Sequence, residues 1–289
     1  MAFILMRWWA AMMFGWGVVM LWLAGLMGLM AVSAAAFVDV GDDTDEGENA
    51  VPEPKIEGER INLILGSEQT ESINGSSAAD RIGAGDGADL VSGGEGDDEL
   101  RGDAGNDTLL GQTGEDNLIG AQGNDELNGG AQDDTLVGQN DDDILSGGEG
   151  DDVLNGSDGN DYLSGGAGDD AVSGGLGNDV MHGDAGEDTL FGGAGDDTLS
   201  GVAGGPDGDS NQDTDGRDYL NGGGGDDVII AGQGDILHGG TGNDQFILGE
   251  WGQEGETADI IDFEPEDDSL LFIWDDSTGD APDVTIQAD

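Results

Sequence analysis

Gly93-Gly94-Glu95-Gly96-Asp97-Asp98-Glu99-Leu100-Arg101 and Gly192-Gly193-Ala194-Gly195-Asp196-Asp197-Thr198-Leu199-Ser200 are two copies of one nine-residue phrase, G-G-x-G-x-D-x-U-x, in which U is a large aliphatic residue. Extended outward from these copies, the period runs without a gap from Gly66 to Ser200, fifteen units in all. The sixth place is Asp in fourteen successive units: Asp80, Asp89, Asp98, Asp107, Asp116, Asp125, Asp134, Asp143, Asp152, Asp161, Asp170, Asp179, Asp188 and Asp197. Only the first unit departs, with Glu71. The eighth place is always apolar, from Ile73 and Ile82 through Leu100, Leu127, Leu163 and Met181 to Leu199.

An acidic and an apolar constraint locked to a single period define a solenoid in which every unit repeats one conformation. The residues x-U-x predict a short strand, with alternation sending U inward and its neighbours outward. Glycines at the first, second and fourth places predict a six-residue turn whose backbone can take positive φ and approach closely. One unit then reverses the chain and two complete a coil, so strands stack in parallel into two sheets over a thin lumen of U side chains. The fold class is all-β: a parallel β-roll, a right-handed solenoid of nonapeptides. At about 4.8 Å per stacked strand the fifteen units make a rod of roughly 36 Å.

Composition narrows the chemistry. The chain has 289 residues with 65 acids against 6 bases, a net charge of −59, and no cysteine. Nucleic acids and anionic lipid head groups are excluded as partners, because both draw affinity from Lys and Arg. Thiolate metal sites and thiol nucleophiles are excluded as well, leaving metals that favour oxygen. Asp residues two units apart fall on one edge of the roll, Asp98 beside Asp116 and Asp107 beside Asp125. Such columns repel if bare, and a lumen one side chain thick offers little to oppose them. A hard divalent ion between turns answers this. Calcium fits best, since it takes 6 to 8 oxygen ligands at about 2.3 to 2.6 Å in flexible geometry, whereas magnesium demands a stricter octahedron.

In copy number and spacing these units resemble the calcium-binding nonapeptides of the repeats-in-toxin (RTX) family, over Gly66 to Ile247. The resemblance implies a β-roll whose turns bind several calcium ions, roughly one per facing pair of turns, with the fourteen Asp as ligands. After Ser200 the register breaks and resumes late, at the strand Tyr219-Leu220-Asn221, which adds Asp218, Asp227, Asp235 and Asp244 to the predicted metal ligands; Ala231 to His238 is a unit of eight. Gln132 and Asp141 stand in place of the fourth-position glycine, as do Gln69 and Ala78, which predicts weaker or empty sites at those turns. Ser67, Ser76, Ala84 and Glu71 mark the start as a degenerate cap, as terminal repeats usually are.

The flanks read differently. Trp8 to Val38 carries no charged side chain, longer than the 20 or so residues a bilayer core needs, so residues 1–38 are expected to form a hydrophobic helix: a transmembrane anchor or, with Ala34-Ala35-Ala36 as cleavage site, a signal peptide. Arg7 before it and the acids after it keep the amino end cytoplasmic and send the rest across the membrane. Residues 39–65 read as an acidic disordered linker. The insertion near 201–215 places Asp207, Asp209, Asn211, Asp213 and Asp215 alternately, either an acidic surface excursion or the start of a separate calcium loop. Residues 248–289, with Trp251, Phe263, Leu270 and Phe272, read as a C-terminal β cap, truncated soon after Val284-Thr285-Ile286.

Catalytic constellations are absent from the sequence: it holds no H-E-x-x-H, G-x-S-x-G or S-x-x-K. His182 and His238 share the ninth, outward place and read as surface residues. Two functions follow. One is a non-enzymatic, extracytoplasmic calcium-binding module of structural, adhesive or matrix type, with calcium ions and the membrane as partners. The alternative is the calcium-dependent targeting or secretion module of an exported enzyme, a protease, lipase or polysaccharide-modifying protein, whose catalytic part lies outside this chain. Export through a type I channel is the family's habit, and the hydrophobic start departs from it.

Overall fold

The computed structural model describes residues 61–203, 216–232, 234–249 and 258–273. The apolar segment, the acidic linker and most of the insertion with its alternating acids lie outside these residues. Among the described residues there is no helix, and so none long and apolar enough to cross a membrane. They form 22 strands that alternate between two 11-stranded sheets. Every pairing is parallel and the usual step between partners is two units, as in Leu127 with Leu145 and Leu145 with Leu163. The chain is a parallel β-solenoid of nonapeptide units.

Most strands are longer than x-U-x, six residues in the regular units, and the turns between them correspondingly shorter. Ile144–Glu149, for example, covers the last three places of one unit and the first three of the next, with exposed and buried positions alternating along it. The pairing skips the first-place glycine: Ser146 faces Ser164 and then Gly148 faces Gly166. This break lets a six-residue strand bend at its centre while its ends keep their ladder bonds. Alternation makes the lumen. Leu100, Leu109, Leu118, Leu127, Leu136 and Leu145 are all at most 1% exposed, each stabilising by about 1.5–3 kcal/mol through burial.

The pairing fixes the register through the irregular region. Thr189 faces Tyr219 and Thr198 faces Val228, so the insertion lengthens the step between partners without shifting a side chain to the wrong face. Tyr219 then faces Ile236 and Val228 faces Gln245, where the eight-residue unit shortens the step to 17. At the front the solenoid starts one unit before Gly66: Asn62–Leu65 pairs with Asp80, Arg81, Ile82 and Gly83, with Asn62 in the sixth place and Ile64 in the eighth. At the back, Asp259–Ile260 and Ser269–Ile273 add one further parallel strand to each sheet. Ile260, Phe263 and Leu270 pack against the buried core, with the Phe263 ring 6.0 Å from that of Phe246.

Candidate cation site

All eighteen Asp residues singled out by spacing come to lie in two columns, and each is at most 3% exposed. One column runs Asp80, Asp98, Asp116, Asp134, Asp152, Asp170, Asp188, Asp218 and Asp235. The other runs Asp89, Asp107, Asp125, Asp143, Asp161, Asp179, Asp197, Asp227 and Asp244. Along a column the backbone N–H of each Asp donates to Oδ1 of the next, as from Asp98 to Asp116 at 2.7 Å and from Asp143 to Asp161 at 2.8 Å. The ladder crosses the insertion, from Asp188 to Asp218 and from Asp197 to Asp227, both at 2.8 Å.

The second carboxylate oxygen is the unusual feature. Fourteen Oδ2 atoms, from Asp89 through Asp197 and at Asp227, are buried with no hydrogen-bond partner. Thirteen of them turn back toward the first glycine of their own unit, where an added Cβ would fall on them, while Asp89 has Ala84 in that place; at Gly102, Gly156 and Gly222 the same Cβ would lie 2.8 Å from the first-place carbonyl of the next coil. In these thirteen units the first glycine gives the carboxylate room. Left-handed backbone belongs to the second and fourth places instead. Every non-glycine residue with positive φ among the described residues stands at one of these two: Asp103, Gln112, Ala121, Gln139, Ser157 and Asp184 at the second, Gln132 and Asp141 at the fourth. Each is uncommon for a side chain-bearing residue and costs on the order of 1 kcal/mol or more. Gln132 and Asp141 hold the fourth place at φ of 82° and 72°, in the left-handed region that glycine occupies there in other units.

Electrostatics sharpens the demand for a counter-ion. Burial pushes Asp134, Asp143, Asp170 and Asp197 up to about 7, only partly offset by the backbone N–H each accepts, with carboxylates of the same column adding to the rise. Asp98, Asp125, Asp152, Asp161, Asp188 and Asp227 rise to about 6 for the same leading reason. A buried ionised group without a partner costs several kcal/mol. The atoms near these oxygens are carboxylate and backbone carbonyl oxygens, the hard donor set that suits calcium. Among the described residues no three His, Asp or Glu side chains converge as one cluster. An ion here would take a carboxylate oxygen from a turn and complete its shell with carbonyls.

Two features escaped the sequence reading. The fifth place carries its own ladder: Oδ1 of Asp133 accepts from the N–H of Asp151, Asp151 from Asp169, Asn160 from Asn178, and Asp196 from Asp226, at 2.9–3.0 Å. Recurrent Asp or Asn beside the invariant Asp was the available signal. The second is Asp268, whose Oδ1 accepts the N–H of Asp244 at 3.0 Å and so extends the second column. Its irregular distance from Asp244 along the chain hid it. The two histidines lie on the outer faces, His182 beside Tyr162 and His238 beside Tyr219, each pair of rings 5.5 Å apart. The His238 Nδ1 is 3.7 Å from Asp262.

Overlapping segments that together span residues 65–250, among them 65–100, 137–172 and 212–246, match the RTX calcium-binding nonapeptide repeat in its four-copy form. The class of protein is thus a calcium-binding repeat solenoid, and this chain belongs to the RTX nonapeptide-repeat family. No curated protein matches the chain.

Proposed function

We propose that this protein is a non-enzymatic module that folds on binding calcium outside the cytoplasm, where it serves as a rod of structural, adhesive or matrix type. The observation that carries the reading is the set of fourteen buried carboxylate oxygens without partners, stacked in register along the two edges. Unpaired, they oppose the fold; bridged by calcium, they hold successive coils together, and the free energy of ion binding becomes free energy of folding. Calcium sites of extracellular modules work at about 10⁻⁴ to 10⁻³ M, far above what the cytosol offers, so the roll folds only where external calcium reaches it. The charge asymmetry around Trp8 to Val38 supports the same side of the membrane. In this reading the fourteen Asp residues that carry these oxygens supply the calcium ligands, the remaining sixth-place Asp residues continue their columns, and residues 39–65 tether the roll.

Protease added to intact cells in calcium tests this directly. Cleavage in the tether that releases a resistant repeat fragment is expected, with chelator making that fragment sensitive too. Repeats that stay protected until the cytoplasmic membrane is broken would refute the location.

A further inference from the structure

The carboxylates of the roll fall into two conformational classes, and the second residue of the unit decides which. In the units of the fourteen partnerless oxygens that residue has φ between 71° (Asp184) and 123° (Gly148). Its N–H is then not given to the carboxylate. In four units whose second residue is not left-handed, its N–H closes the carboxylate instead. Ser67 donates to Glu71 Oε2 at 2.9 Å, Ser76 to Asp80 Oδ2 at 2.6 Å, Gly232 to Asp235 Oδ2 at 2.7 Å and Glu264 to Asp268 Oδ2 at 2.7 Å. Three of these lie near the two ends of the described solenoid, and the fourth is the eight-residue unit, whose missing residue shortens the reach to three positions.

Resting on the calcium reading above, we infer that this backbone conformation is a site selector: a unit with a left-handed second residue offers its Oδ2 to calcium, and a unit without one satisfies that oxygen from its own chain and adds no ion. The non-glycine residues held at positive φ in the second place support this, because strain kept at Asp103, Gln112, Ala121, Gln139, Ser157 and Asp184 has no use to a turn that could close on itself as Ser76 does. Asp235 and Asp268 thus carry on the backbone ladder of their columns without binding calcium.

The test is the number of calcium ions bound per full-length chain, counted by equilibrium dialysis or native mass spectrometry in saturating calcium. Asp→Asn changes keep Oδ1 for the ladder and remove the charge. Asp152→Asn and Asp161→Asn are expected to lower the count by at least one ion each, while Asp235→Asn and Asp268→Asn leave it at the wild-type value. If Asp235→Asn or Asp268→Asn loses as many ions as Asp152→Asn, the selector is overturned while the calcium reading stands. An unsubstituted chain that binds no calcium would overturn the calcium reading itself.

Discussion

Asp151 and Asp152 are neighbours in one turn and share a charge, yet the solenoid uses them in opposite ways. Asp151 occupies the exposed fifth place, where Oδ1 accepts the N–H of Asp169 at 2.9 Å from the following coil and water can serve its other oxygen. Asp152 occupies the buried sixth place, 1% exposed, where Oδ1 accepts the N–H of Asp134 at 2.7 Å from the preceding coil and Oδ2 has no partner. Asn serves at the fifth place in Asn106, Asn124, Asn160, Asn178 and Asn243, because that ladder needs only one acceptor. At the sixth place among the described units Asn occurs at Asn62, in the first coil. Position relative to solvent, more than charge, separates a ladder rung from a cation ligand.

The comparison can be pressed hardest by putting a carboxylate where neither water nor a cation reaches. Leu163 is fully buried in the lumen, and Leu163→Asp should destabilise the calcium-loaded roll by more than about 4 kcal/mol, read as a lost or much lowered calorimetric transition. Asp161→Ala should be the next most damaging. It removes a ligand and leaves the N–H of Asp143 without its acceptor, a loss of about 1.5–3 kcal/mol for the bond alone. Because each coil touches only its neighbours, the calcium count should fall by one or two ions; a chain stripped of all calcium would contradict this locality.

Proton binding gives a third, smaller test. Sixth-place carboxylates raised by burial to about 6 or 7, such as Asp152 and Asp134, bind protons in the metal-free roll that the unfolded chain, with Asp near 3.9, has already released. Stability of the metal-free roll is therefore greatest below about pH 4 and falls as pH rises through the window to about 7. In chelator, acidification from pH 7 to 5 should raise β-structure in circular dichroism. In calcium the sign reverses, since protons compete for the ligand oxygens. The smallest effect belongs to the fifth place: Asp151→Asn should change the melting transition by less than about 0.5 kcal/mol and leave the calcium count unchanged.

Much of this was legible in the sequence because it depends on a period. Alternation around the eighth place put Leu100 and Leu163 in the lumen, and spacing by two units put Asp98 against Asp116. The late return of the phrase after Ser200, at Tyr219-Leu220-Asn221, predicted the step across the insertion. What escaped has local causes. Strand length was underestimated, since the bend at the first glycine keeps both flanks in the ladder. Asn62 and Ile64 were passed over because their unit begins with Glu57, and Asp268 because the interval before it is irregular. The left-handed second place was expected of glycine, and Asp103 or Gln112 there can be understood only once neighbouring coils are seen to impose the turn. Closure of Asp235 by Gly232 rests on one missing residue whose effect no composition records.

Circular dichroism of the chain, first in excess chelator and then titrated with calcium or magnesium, bears most directly on whether the buried oxygens make the fold depend on a cation. Little β-structure in chelator is expected, then a cooperative rise with a calcium midpoint of about 10⁻⁴ to 10⁻³ M and a much weaker response to magnesium. A roll fully formed in chelator at neutral pH, or restored equally by magnesium, would contradict it.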